Sequence, residues 1–226
     1  MKRFYLITIL LFSQLVYSQE FIPEKPDYKK IGKEIKNKKS VYYYPVLMQR
    51  FLEADSSFTL EEKRHLYFGY TFQPGYSPYA IKPYQDSIRA VNQKDTLMES
   101  DYRMLLGFAD SLLVDDPFNL RALNVKLFVY DHGADMHSFF LTIQRMNAIF
   151  DAILSSGDGT SKKTAFYVIA VSHEYDVLDF IGFDFGGQQS LIEHYDYLTV
   201  KENQYGIDGL FFDISPCLKH LDLMFK

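Results

Sequence analysis

Between Leu97 and Ile153, apolar side chains recur three and four residues apart in three successive stretches. The first runs Leu97, Met98, Tyr102, Leu105, Ala109, Leu112 and stops at Asp115-Asp116-Pro117. The second, Leu120, Leu123, Leu127 and Tyr130, ends at Asp131-His132-Gly133, and the third carries Met136, Phe139, Ile143, Met146, Phe150 and Ile153. Such spacing predicts three amphipathic helices, because one face of a 3.6-residue helix must hold all the apolar groups. Breaks this short make consecutive helices antiparallel neighbours, each covering the stripe of the next. Any fold for this chain must be built around that helical body.

Upstream, Lys29–Lys39 is basic with only Ile31 and Ile35 apolar, which predicts a short helix laid on the body by a thin stripe. Two isoleucines give too narrow a face for a membrane-surface helix. Ser40–Glu53 predicts a helix with Pro45 in its first turn, where a missing N–H is harmless. Thr59 and Glu62 stand three apart, as a capping box requires, and predict a helix through Lys63–Tyr70. Two prolines and a glycine between Phe72 and Tyr79 then predict an irregular aromatic loop. Asp116-Pro117-Phe118-Asn119, leading into Leu120-Arg121-Ala122-Leu123, resembles the turn-to-helix junction of a tetratricopeptide repeat, without a second copy at that period.

After Ser155 the residues turn polar and flexible (Ser155-Ser156-Gly157-Asp158-Gly159-Thr160-Ser161), and a boundary is expected there. Thr164–Val171 reads as a strand buried on both faces. Tyr195–Lys201 and Gly209–Ile214 read as strands joined by a turn at Asn203–Gly206. His173–Phe183 suits either a short helix or a strand, and Pro216–Phe225 suits a short helix. The expected architecture is therefore α+β: a mainly helical region at 40–156 with tetratricopeptide-like hairpins, then a small β-containing unit at 157–226.

Residues 1–18 combine a basic end, an apolar run from Phe4 to Leu15 and a small-residue exit at Ser18, the pattern of an export signal cleaved near Ser18–Gln19. The run falls short of the roughly 20 residues that span a bilayer, so no transmembrane anchor is expected. Residues 19–27 form a polar, mobile lead-in completing a 19–39 segment. A periplasmic or secreted location follows. The lone Cys217 excludes an intramolecular disulfide and, in its apolar tail, reads as a buried inert thiol. Loss of Lys2 and Arg3 takes the formal charge from −5 to −7, with basic groups scattered, which argues against nucleic acid as a partner.

The Tyr42–Met48 segment, the Thr59–Glu62 cap before His65-Leu66-Tyr67-Phe68-Gly69-Tyr70, the Gly75–Tyr79 loop and the Asp116–Leu123 turn occur together here in a fixed order. They are followed by Ser156–Ser161, Val171-Ser172-His173-Glu174-Tyr175, Gln188 with Ser190-Leu191, and Phe211–Asp213. This set resembles the domain of unknown function 4919, found in exported proteins of Bacteroidetes. The resemblance implies an exported bacterial protein of about this size and carries no activity or site residues with it. Tyr195 stands where the resemblance implies a Cys, which removes that thiol.

Candidate chemistry is thin. Gly157–Thr164 suggests a phosphate loop, but Lys162 replaces the second glycine and a strand rather than a helix follows. Asp131, His132, Asp135 and His137 have the composition of a zinc site, yet Asp135 is better placed to cap the next helix. His173-Glu174 begins like a zinc-protease helix, but Val177 occupies the position of the second His. No metal or other cofactor is expected. With His194, and with Asp176 and Asp196 nearby in sequence, His173 and Glu174 form the one candidate acid–base cluster. Tyr76 and Tyr79 are candidate stacking residues for a glycan or peptide. The expected function is a non-enzymatic interaction or ligand-binding module for an envelope protein or small ligand. An envelope hydrolase and an aromatic glycan or peptide binder are the alternatives.

Overall fold

The computed structural model describes residues 23–80 and 84–224. The export segment lies outside the described residues. Among the described residues the order is α1 (Tyr28–Glu34), α2 (Tyr44–Leu52), α3 (Leu60–Gly69), α4 (Tyr84–Asn92), α5 (Glu99–Asp115), α6 (Leu120–His132), α7 (Met136–Leu154), β1 (Phe166–Tyr167), α8 (Ser172–Phe180), β2 (Phe185–Ile192), β3 (Tyr195–Val200), β4 (Gly209–Asp213) and α9 (Ser215–Met224). The protein is α+β, with helices concentrated before residue 157 and a four-stranded sheet after it.

Local chemistry starts the helices where the sequence indicates. Thr59 Oγ1 accepts from Glu62 N while Glu62 Oε2 accepts from Thr59 N, so both halves of the box at α3 are made. Asn119 caps α6 by accepting from Ala122 N, and Asp135 caps α7 by accepting from Ser138 N. Pro45 sits in the first turn of α2. Ile31 and Ile35 are both buried, and at about 1.5–3 kcal/mol for each such side chain this stripe suffices to dock the seven-residue α1. The lead-in is pinned from Glu24 onward: Glu24 N donates to Ser155 O, and the buried Arg64 guanidinium donates to Glu24 O and to Ser155 Oγ. The mobility expected of it ends there, because a buried cation must be satisfied by nearby oxygens.

α6 packs against both α5 and α7, and α7 packs against α3. The helical pairs are as expected, while their tetratricopeptide character is not confirmed by the fold. The principal core draws on Leu47, Phe51, Leu66 and Phe118 from the helical region and on Val168, Leu198, Leu210 and Phe212 beyond residue 157. Between them, Ser155–Ser161 is stitched rather than loose. Asp158 N and Gly159 N both donate to Thr164 O, Ser156 Oγ accepts from Tyr167 N, and Phe211 N donates to Gly159 O.

The sheet order is β1-β4-β3-β2, with β1 parallel to β4 and the other pairs antiparallel. The strand expected over Thr164–Val171 reduces to Phe166–Tyr167. A 3-10 turn occupies Lys162–Thr164, and beyond Tyr167 the chain turns into α8. Ala165, Phe166, Tyr167, Val168 and Ile169 are buried all the same: β4 ends at Asp213, which leaves no ladder partner beyond Val168 N to Asp213 O. Two elements were not indicated by the pattern. α4 begins at Tyr84, and β2 is an edge strand exposed along nearly its whole length, bulged between Phe185 and Gln189 where Gly187 takes φ +96°.

Candidate functional site

α8 resolves the ambiguous His173–Phe183 stretch as a helix, with His173, Glu174, Val177 and Leu178 turned inward. His173 Nε2 lies 3.0 Å from the Phe118 carbonyl, which can only accept, so this nitrogen carries the hydrogen. Nδ1 is then the acceptor for the Tyr67 hydroxyl at 2.7 Å, and that hydroxyl oxygen accepts from Ile169 N at 3.2 Å. Burial pushes the His173 pKa down to about 4. The imidazole is neutral, and both of its nitrogens are committed to tying α8 to α3 and to the turn that precedes α6.

Glu174 meets a different partner. Period-two alternation puts Asp196, Leu198 and Val200 on one face of β3, the face buried against α8, so the register forces a carboxylate inside. Gln189, on β2, donates from Nε2 to Asp196 Oδ2 at 2.7 Å and to Glu174 Oε2 at 3.2 Å, while Tyr175 donates to Gln189 Oε1. Burial first, then the Asp196 charge and a hydrogen bond to it, push the Glu174 pKa up to about 10. Oε1 of Glu174, buried without a donor, is the atom left to carry the proton. The result is a protonated Glu174 carboxyl joined to Asp196 through the Gln189 amide.

His194 stands apart from this pair. It occupies the β2–β3 turn with its side chain 43% exposed and Nε2 3.5 Å from Asp213 Oδ2. Asp213 pairs with Tyr195, the residue whose side chain points opposite to Asp196, so His194 addresses the other face of the sheet. The structure therefore joins Glu174 to Asp196 but does not bring His173, Glu174 and His194 to one polar centre.

The aromatic candidates also divide. Tyr76 is buried, donates to Ile169 O at 2.9 Å and packs edge-on to Tyr70, whereas Tyr79 is 38% exposed. Cys217 lies under Tyr76, and burial pushes its thiol up to about 12. A disulfide reagent at pH 8 is expected to leave the native thiol unlabelled and to titrate one equivalent in denaturant. Rapid native labelling would overturn the burial. The Asp131–His137 stretch is taken up by capping and by a His132 Nδ1 contact to Phe128 O.

What the sequence left unmarked is a groove of about 740 Å³ between α6, α7 and α8, with α4 at its rim. Leu120, Val125, Met146 and Phe150 give it an apolar floor, and Phe180 stacks on Phe150 at 3.9 Å. Arg121 Nε lies 3.6 Å from Asp176 Oδ1, and Asp176 Oδ2 is buried without a donor. Burial raises the Asp176 pKa to about 6 against the opposing pull of Arg121. A smaller cleft of about 180 Å³, lined by Tyr70, Ser77, Ser172 and His173, shares Asn119 and Arg121 with the groove. Of these two shared residues, Arg121 is the charged one. Its place two residues after the N-cap Asn119 was the one available signal.

Fold and site define an α+β protein in which helical hairpins pack with a small four-stranded sheet, and in which an amphipathic groove opens beside the inward-facing α8. The chain belongs to the family described as Domain of unknown function (DUF4919), whose model matches residues 29–222. No curated protein and no solved structure matches it.

Proposed function

We propose that the protein is exported and acts without catalysis, holding a segment of an envelope protein in the groove between α6, α7 and α8. The observation that carries this reading is the groove itself: an apolar floor flanked by the incompletely satisfied Arg121–Asp176 pair. A pocket of a few hundred Å³ or more that combines apolar lining with placed polar groups is the usual form of a recognition site. The hydrolase alternative has less behind it, because a general base needs a free lone pair and His173 has none to offer. Tyr76, spent on the Ile169 carbonyl, likewise weakens the aromatic-binder reading.

A photo-crosslinking residue at Asn124, on the groove, is expected to capture one defined envelope protein, and one at the exposed Val114 is expected to capture none. Arg121→Glu should reduce the adduct about tenfold, as loss of a charge-assisted contact would. Hydrolysis of an envelope substrate that disappears in Glu174→Gln, with no adduct at Asn124, would replace this reading with the enzymatic one. Export is tested by the N-terminal residue of the protein recovered outside the cytoplasm, expected at Gln19.

A further inference from the structure

On the side of the molecule formed by α9, the end of α3 and α1 there is a second recess, of about 320 Å³, that shares no residue with the groove. Its walls are the rings of Tyr28, Phe72 and Tyr76 with Pro216 and Leu223. The aromatic loop and α9 build it together. Phe72 is held from behind, since a Cβ on Gly32 of α1 would come within 2.9 Å of its ring. Leu223 is 62% exposed, so the apolar wall is open to an occupant.

The rim of this recess is basic, while the buried Asp213 carboxylate lies behind its inner end, bonded to Ser215. Lys219 and His220, one turn of α9 before Leu223, line the recess, and among the described residues neither has an ion-pair partner. Lys36 Nζ lies 6.0 Å over the Phe72 ring from the α1 side. In a chain whose formal charge is −5, unpaired basic groups bordering an apolar concavity form a local exception. At the inner end the Tyr28 hydroxyl is buried and has no hydrogen-bond partner. An apolar wall with the unpaired Lys219 ammonium at its rim matches an amphiphile whose anionic head stays at the mouth and whose tail lies inside.

We infer that this recess binds a single-chain aliphatic carboxylate, with the tail against Phe72, Pro216 and Leu223 and the head group against Lys219. A volume near 300 Å³ lies at the small end of ligand sites, which favours one medium-length chain over a two-tailed lipid. The recess and its ligand are independent of the groove, and each reading stands or falls separately.

The test is calorimetric titration of the full chain with sodium decanoate below its micellar concentration. Saturable one-to-one binding is expected. Decylamine, with the same tail and the opposite charge, should bind at least tenfold more weakly. Lys219→Glu and Leu223→Glu are both at exposed positions of α9, so each should keep the native melting temperature while weakening decanoate binding about tenfold or more. The inference is overturned by absent or non-saturable decanoate binding, or by equal affinity for decylamine. It is equally overturned by unchanged affinity in Lys219→Glu, or by binding of a tetrapeptide with an apolar C-terminal residue but not of decanoate.

Discussion

Glu174→Gln is expected to stabilise the protein, by about 3–4 kcal/mol near pH 7. The reason lies in the proton held by Glu174. Glu174 has an ordinary value of 4.5 in the unfolded chain and is pushed up to about 10 when folded, by burial and by Asp196. Below about pH 4.5 both states hold the proton and nothing is lost. As pH rises the unfolded chain releases it while the folded protein must keep it, so stability falls by about 1.4 kcal/mol per pH unit until the folded value is passed. A glutamine has no proton to keep. Its carbonyl can accept from Gln189 Nε2 and its amide can donate to Asp196, reproducing the hydrogen bonds of the protonated acid at equal volume. By pH 8 the same slope amounts to about 5 kcal/mol, which for a chain of this length is a rise in melting temperature of roughly 10–20 °C, shrinking toward zero at pH 4.5. Thermal unfolding of both proteins at pH 5 and pH 8 measures it. A variant less stable than the parent at pH 8 would mean that donors hold Glu174 as a carboxylate, the opposite of what this packing implies.

The residues that make this pair were half legible. Short-range chemistry reads directly from sequence: the Thr59–Glu62 box, the Asn119 and Asp135 caps and the stripes of α5, α6 and α7 involve partners within four residues. Alternation in Tyr195–Val200 marked β3, and the same alternation, followed one step further, puts Asp196 on the buried face with Leu198 and Val200. Partner identity is another matter. Successive residues on a helix are about 100° apart, so His173 and Glu174, adjacent in sequence, face different walls: one meets Tyr67 on α3, the other Asp196 on β3. A reading that treats neighbours in sequence as neighbours in a site cannot separate them.

The elements that escaped notice have physical reasons too. β2 carries Phe-Gly-Gly-Gln-Gln-Ser-Leu-Ile, is exposed over seven of its eight residues and is set by pairing with β3, so no hydrophobic alternation announces it. The groove is absent from the sequence for a related reason. It exists only where α6 and α7 meet α8, between surfaces that each look like ordinary amphipathic faces.

One residue along α8 the expected sign reverses. Tyr67→Phe should destabilise the protein by about 2–4 kcal/mol, because it removes a single oxygen that serves two buried partners. The Tyr67 hydroxyl accepts from Ile169 N and donates to His173 Nδ1, and the side chain is fully buried. Without it a backbone N–H and an imidazole lone pair are left inside the core, each at about 1–3 kcal/mol. The ring remains, so its edge-on packing with Phe68 at 5.1 Å and Phe118 at 5.9 Å is preserved and the loss reports hydrogen bonding alone. His173 adds a pH signature in the parent protein. Its folded value, pushed down to about 4 from an ordinary 6.5, means that the stability of the neutral imidazole is complete above about pH 6.5 and is lost as pH falls toward 4. Urea denaturation at pH 7.5 measures the Tyr67→Phe loss, with Tyr79→Phe at an exposed ring expected to change stability by less than about 0.5 kcal/mol. If Tyr67→Phe falls within that same margin, water reaches Ile169 N and His173 Nδ1, and His173 then has a lone pair available for proton transfer after all. The acid–base reading of α8 would regain the base it lacks, so this substitution also tests why catalysis was set aside.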